Sequence, residues 1–287
     1  MEVKRIAVLG AGLMGHGICQ VSAQSGFEVW LRDVEQRFVD NGMEMIRKSL
    51  ARFESKGQLT KDQVNEILGQ IHPTLSLEEA AKNADLIIEA VPEKTEIKNP
   101  VFRETDKHAP PHAIIASNTS SISITQLGST TKRPEKVCGM HFFNPPQLMR
   151  LVEVIKGIET SDETVQTVLD TAHKMGKETV LVKKDSPGFI VNRILAPALN
   201  EAVALYWEGV ADKEDIDKAI KLGLNWPMGP LTLLDYIGAD TMLSISEVLT
   251  QEIDSKFQPT TGLKQMVRAN LLGRKTGKGF YDWIEKK

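Results

Sequence analysis

The stretch Arg5-Ile6-Ala7-Val8-Leu9-Gly10-Ala11-Gly12-Leu13-Met14-Gly15-His16-Gly17-Ile18 decides the fold. A β-rich apolar run enters three glycines at fixed spacing, and Ile18, Val21 and Ala23 then repeat with helical period. Strand, glycine turn and helix in that order open a dinucleotide-binding βαβ unit. Gly10 permits the tight turn, Gly12 lets the backbone approach a pyrophosphate, and Gly15 permits close packing of helix on strand. Gly10, Gly12, Leu13, Met14 and Gly15 are therefore the expected cofactor contacts, with the helix N-terminus offering amides and a positive dipole end to the phosphates. Residues 28–31 read as the second strand, and Asp33 follows where a carboxylate accepts hydrogen bonds from the adenosine ribose and repels a 2′-phosphate. Arg32 is adjacent, but Val34-Glu35 follow and no basic cluster surrounds the position, so the sequence predicts NAD rather than NADP.

Outward from this unit, β-rich runs at 86–90, 113–116, 136–140, 151–155 and 179–182 alternate with helical patterns, which predicts an α/β fold with a mostly parallel sheet. Thr60 with Gln63 and Ser76 with Glu79 stand at capping-box spacing. Beyond Lys184 the texture changes. Pro187-Gly188 opens long helical patterns, one starting at Asp212 to Asp215 and ending at Gly223. The expected organisation is a Rossmann-type dinucleotide-binding domain over 1–185 and an all-α domain over 186–287.

Composition narrows the function classes. With 41% hydrophobic and 25% charged residues the chain is globular, and a net charge of −3 gives no field for a nucleic-acid backbone. No apolar run approaches the roughly 18 to 20 residues that span a bilayer, and the first residues lead directly into a strand, so neither membrane insertion nor export is expected. Cys19 and Cys138 stand far apart without metal or redox spacing, which fits a reduced cytoplasm and no metal site.

Hydride transfer at an alcohol needs a base for the hydroxyl proton, a group to orient that base, and donors for the oxygen. His141 is the leading base, expected just after the strand 136–140 at the carboxyl edge of the sheet, where ligands bind. Twelve residues on, Glu153 is the charged residue in an otherwise apolar run, a setting in which a carboxylate needs a partner. If it accepts from one ring nitrogen it fixes the tautomer and stabilises the imidazolium. Taken alone, the two also read as a histidine at a turn and a glutamate at a strand edge. His16, His72, His108, His112 and His173 lie in polar or loop-like settings and carry no functional expectation.

The segment His141-Phe142-Phe143-Asn144-Pro145-Pro146, followed by Met149 and Leu151-Val152-Glu153-Val154, resembles the signature of the 3-hydroxyacyl-CoA dehydrogenases, including bacterial and archaeal 3-hydroxybutyryl-CoA dehydrogenases. The resemblance spans essentially the whole chain, through Ser117-Asn118-Thr119-Ser120-Ser121, the run Pro187 to Arg193, Pro227-Met228-Gly229-Pro230 and the run Gly273 to Tyr281. It implies an NAD-dependent enzyme of the monofunctional type acting on short (S)-3-hydroxyacyl-CoA and 3-oxoacyl-CoA (3-hydroxybutyryl-CoA and acetoacetyl-CoA). By the same resemblance His141 is the catalytic histidine, Glu153 its carboxylate partner, and Ser120 and Asn192 the groups at the substrate's 3-oxygen and thioester. On their own Ser120 and Asn192 read as well as turn or helix caps. Glu93, Lys98 and Asn144 match positions lining the cofactor, although Glu93 and Lys98 alone would be a solvated helix end, and Pro100 suggests a helix starting locally there. Arg47, Lys48, Arg52 and Lys56 form a basic stretch; Arg52 and Lys56, on one i, i+4 face, are the favoured partners for CoA phosphates, against a plain solvated face.

Two other classes share the scaffold: dehydrogenases of free β-hydroxyacids, which use a lysine, and non-catalytic NAD-binding proteins. The pair His141 and Glu153 argues against the first, and the set Ser120, His141, Glu153 and Asn192 against the second. The resemblance further implies a homodimer through the helical domain, for which Leu231, Leu233, Leu234, Tyr236, Ile237 and Met242 offer apolar surface, an internal core being the equal alternative.

Overall fold

Strand composition orders the first unit. Residues such as Ile6, Val8, Leu86, Ile87, Ile88, Ile115 and Ala116 are apolar at successive positions, so their strands suit a sheet covered on both faces. In the computed structural model, which describes residues 1–284, this unit spans Met1–Ser186 and the second begins at Pro187. In chain order the first contains β1 (Arg5–Leu9), α1 (Gly15–Gln24), β2 (Glu28–Arg32), α2 (Gln36–Ser55), α3 (Lys61–Gly69), β3 (Ile71–Thr74), α4 (Leu77–Ala81), β4 (Leu86–Glu89), α5 (Thr95–His108), β5 (Ile114–Ser117), α6 (Ile124–Gly128), β6 (Val137–Phe142), β7 (Leu151–Ile155), α7 (Asp162–Lys174) and β8 (Glu178–Val182). The eight strands run in the order β3-β2-β1-β4-β5-β6-β7-β8. Neighbours pair in parallel except β6 and β7, which are antiparallel. This is the mostly parallel α/β sheet that the sequence predicts.

Several local expectations are corrected. The strand expected to stop at Met140 continues through His141 to Phe142, placing His141 inside β6. β3, Ile-His-Pro-Thr, was not anticipated; as an edge strand it tolerates Pro73, which has no amide to donate. α5 starts at Thr95 rather than at Pro100, because proline deletes one early backbone bond while Lys98 and Phe102 on the same helix are buried. The Thr60 capping box is complete. At Ser76 only half forms, since the Glu79 carboxylate accepts from Thr74 instead. Gly223 stays helical, and the left-handed residue beyond it is Asn225.

The second unit consists of α8 (Val191–Trp207), α9 (Lys213–Gly223), α10 (Pro230–Ile237), α11 (Ala239–Glu252) and α12 (Thr261–Arg268) around a core that includes Leu199, Val203, Leu249, Leu263 and Phe280. Leu231, Leu234 and Met242 belong to that core, so these three cannot supply a subunit contact; Tyr236 is exposed, and Leu233 and Ile237 are half-buried. Asp235 explains the glycine-rich segment 273–281. Its buried carboxylate accepts from Phe280 N at 2.9 Å, Tyr281 N at 2.8 Å and Trp283 Nε1 at 2.8 Å. A Cβ on Gly279 would lie 2.1 Å from Asp235 Oδ1, and Gly273, at φ +82°, would place one 2.3 Å from the Asp235 carbonyl oxygen.

Asp235→Asn should therefore destabilise the helical unit by about 2 kcal/mol or more, since bonds to a charged acceptor are worth about 1.5–3 kcal/mol each and the amide cannot accept at both positions. Denaturant unfolding followed by tryptophan fluorescence measures it, and an unchanged midpoint would contradict the clasp.

Candidate active site

The nucleotide cradle is built by close backbone approach. Gly10, at φ +105°, donates its amide to Arg32 O at 2.8 Å, and a Cβ there would stand 2.6 Å from Ala90 O. A Cβ on Gly15 would meet Gly10 O at 1.7 Å, whereas one on Gly12 would meet nothing within 4 Å. Two glycines are thus forced by packing and the third by the open space a ligand needs. Gly12 and Leu13 are exposed and Met14 half-buried. α1 has no side-chain cap and no acidic residue in its first turn, so nothing in the helix itself neutralises its positive end. Asp33 accepts from Ala11 N at 2.7 Å with Oδ2 and from Val34 N at 2.6 Å with Oδ1, and the half-buried carboxylate keeps lone pairs for a ribose. The residues present fit a dinucleotide.

The strand order reverses between β1 and β4, and ligands of open α/β sheets bind beyond the carboxyl ends at such a point. Two strands on the β4 side of that point, β4 and β5, end in polar residues, Glu89 and Ser117. At the end of β4, Glu89 is fully buried; its Oε1 accepts from Lys98 Nζ and Val91 N, both at 2.7 Å, and its Oε2 from Lys98 Nζ at 2.9 Å and Ser117 Oγ at 2.6 Å. Lys98 also reaches Glu93 Oε2 at 3.2 Å. With 1% exposure Lys98 is no solvated helix end, and it reaches the crevice through Glu93. Glu93 Oε1 gathers the loop after β5, accepting from Thr119 Oγ1, Ser120 N at 2.9 Å, Ser121 N at 3.2 Å and the Ser120 hydroxyl at 3.3 Å. Burial raises the Glu89 carboxyl against the pull of Lys98. For Glu93 burial also pushes upward, but the Lys98 charge and the Thr119 and Ser120 donors together hold it below the ordinary carboxylate range.

His141 in β6 and Glu153 in β7 are direct cross-strand partners of the antiparallel pair. His141 Nδ1 lies 2.7 Å from Glu153 Oε2, with the histidine 6% exposed and the glutamate 0%. An ionised carboxylate only accepts, so against one Nδ1 carries the proton. The Phe143 ring packs 4.6 Å from the imidazole, and Asn118 Oδ1 accepts from Phe142 N at 2.8 Å, bracing the strand beside His141. The following loop carries exposed Asn144 and is held by buried Lys177, which donates to Pro146 O at 2.6 Å and Met149 O at 2.9 Å.

Asn192 is buried in the first turn of α8, in the second unit. Arg52 and Lys56 are exposed at the C-terminal end of α2, where cations also suit the helix dipole, and Lys48 pairs with Glu44 on the same helix at 2.6 Å. Burial pushes the Cys138 thiol up to about 12, and Cys19 higher still, which removes both as nucleophiles. Among the described residues no three His, Cys, Asp or Glu side chains cluster as metal ligands. Glu89, Ser117, Asn118 and Thr119 were not singled out by residue-level reasoning. A lone charge in the apolar run 86–90 is the signal that would have found Glu89, just as it found Glu153.

Comparison with known proteins places both units. The family model "3-hydroxyacyl-CoA dehydrogenase, NAD binding domain" matches residues 5–186, and "3-hydroxyacyl-CoA dehydrogenase, C-terminal domain" matches residues 188–283. A probable 3-hydroxybutyryl-CoA dehydrogenase of Deinococcus radiodurans is 52% identical over 280 residues, covering 97% of this chain and 100% of the relative. The human mitochondrial hydroxyacyl-coenzyme A dehydrogenase is 42% identical over 289 residues, covering 98% and 91%. A crystal structure of (S)-3-hydroxybutyryl-CoA dehydrogenase from Ralstonia eutropha superposes with a TM-score of 0.94 at 42% identity, covering 99% of this chain and all of the other. The cofactor is NAD.

Asp33→Ala should raise KM for NADH about tenfold or more and improve the relative use of NADPH, since it removes ribose acceptors worth about 1.5–3 kcal/mol each and the repulsion of a 2′-phosphate. Initial rates with both nucleotides test this; unchanged discrimination would remove Asp33 from the ribose site.

Proposed function

Because the chain belongs to the 3-hydroxyacyl-CoA dehydrogenase family, we propose that it interconverts short-chain (S)-3-hydroxyacyl-CoA, 3-hydroxybutyryl-CoA above all, and 3-oxoacyl-CoA, with His141 and Glu153 as its acid-base pair. The observation that carries this reading is the 2.7 Å bond between two side chains shut away from bulk water. Bound NAD supplies the hydride acceptor. His141 Nε2 takes the proton of the 3-hydroxyl in oxidation and returns it in reduction. Glu153 holds the imidazole in the Nδ1–H tautomer and stabilises the positive charge it acquires. The Ser120 hydroxyl and the Asn192 amide are neutral donors for the 3-oxygen and the thioester carbonyl. Glu93 and Asn144 line the nicotinamide side with Lys98 behind Glu93, and Arg52 and Lys56 receive the CoA phosphates.

The cytoplasm, where thiols stay reduced, is the proposed location; among the described residues no helix is long and apolar enough to cross a membrane. The protein acts as a homodimer paired through its helical units. Exposed Trp207, Val210, Leu222 and Leu224 of the second unit supply apolar surface for this in place of the internal Leu231, Leu234 and Met242. Sedimentation showing only monomer at micromolar concentration would remove the dimer.

Turnover of acetoacetyl-CoA with NADH, compared across acyl lengths, tests the substrate. His141→Gln should lower kcat by about 10² or more with NADH binding nearly intact, general acid-base catalysis being worth about 10² to 10⁴. Glu153→Gln should impair kcat as well, and the double variant should lose far less than the product of the single losses. Multiplicative losses would leave Glu153 a structural role only.

A further inference from the structure

Glu89 takes no part in the chemistry above, yet it is fully buried and carries four hydrogen bonds. We propose that Glu89 is a positioning residue of the dehydrogenase reaction, the anchor of a closed ring of side chains that sets the Ser120 loop. The proposal rests on the reading of Ser120 as a substrate contact.

The ring has two arms leaving one carboxylate. Along the charged arm Glu89 holds Lys98 Nζ, Lys98 holds Glu93 Oε2, and Glu93 Oε1 accepts from Thr119, Ser120 and Ser121. Along the neutral arm the Ser117 hydroxyl donates to Glu89 Oε2 at 2.6 Å and accepts from Thr119 N at 3.2 Å. Both arms meet at Thr119, so the residue preceding Ser120 is held from two directions. Backbone register closes the frame, since Glu89 pairs with Ser117 across β4 and β5 and Asn118 N donates to Glu89 O at 2.8 Å.

Energetics favour a functional over a packing role. Removing the Glu89 carboxylate and the Lys98 ammonium from water costs several kcal/mol per ion, and apolar residues of similar volume often stabilise as well or better. Here the ammonium reaches beyond its buried partner Glu89 to Glu93, a contact that packing does not require. Its evident product is a fixed polarity at Glu93, which gathers the Ser120 and Ser121 amides on one oxygen and sets the loop backbone before substrate arrives. The Ser120 hydroxyl, which donates to the same oxygen at 3.3 Å, then has only to rotate to donate to the 3-oxygen.

The test is a double-mutant cycle between Glu89→Gln, which keeps shape and removes charge, and Ser120→Ala, with acetoacetyl-CoA and NADH. Glu89→Gln should lower kcat/KM about tenfold in the otherwise unchanged enzyme, and less than about threefold when Ser120 is already alanine. Equal factors in both backgrounds, or no loss at all, overturn the proposal, because a merely structural role is indifferent to Ser120. Should Glu89→Gln fail to fold, Ser117→Ala opens the neutral arm alone and should show a smaller loss with the same dependence on Ser120; a loss independent of Ser120 overturns the proposal. Failure of the parent enzyme to turn over acetoacetyl-CoA would overturn the functional reading and this one with it, whereas turnover with unlinked losses overturns this one alone.

Discussion

A carboxylate placed in the middle of a covered sheet must be compensated or the strand that carries it does not belong there. Glu153 is that carboxylate, and its compensation by His141 determines much of the surrounding architecture. Two residues twelve apart can face each other directly only across an antiparallel pair, which a short loop suffices to join, while parallel neighbours need a long crossover. The reversal of direction at β7 is therefore what makes the pair available. The loop that permits it must be rigid enough to hold a 2.7 Å contact, and Lys177 and Asn118 fix it and its leading strand from either side.

The cofactor end obeys a similar economy. Asp33 ties down the glycine loop with both carboxylate oxygens, and on the reading that it also receives the ribose, cofactor choice and loop geometry share one side chain. Gly15 shows the same coupling in steric form, since the atom it lacks would occupy the position of the Gly10 carbonyl oxygen.

Much of this was legible in the sequence. Continuous apolar runs mark buried parallel strands, and a lone charge within such a run marks a paired group, which is how Glu153 stood out. The misreadings have physical causes. β3 escaped notice because its proline is acceptable only at an edge, a property of the sheet rather than of the segment. Without the family resemblance Lys98 reads equally as a solvated helix end, because a long aliphatic stem suits a surface and an interior alike, and only the two carboxylates show which is realised. Leu231 and Leu234 keep the i, i+3 spacing of an apolar helix face, and spacing does not say whether that face meets its own domain or a partner.

The Asp235 clasp bears on synthesis as well as stability. Its indole donor, Trp283, lies 48 residues further along the chain. At about 5–20 residues per second the ribosome needs about 2 to 10 s to cover that interval. Throughout it the Asp235 carboxylate on α10 lacks its indole donor, so the clasp is completed only after the glycine-rich segment has been made.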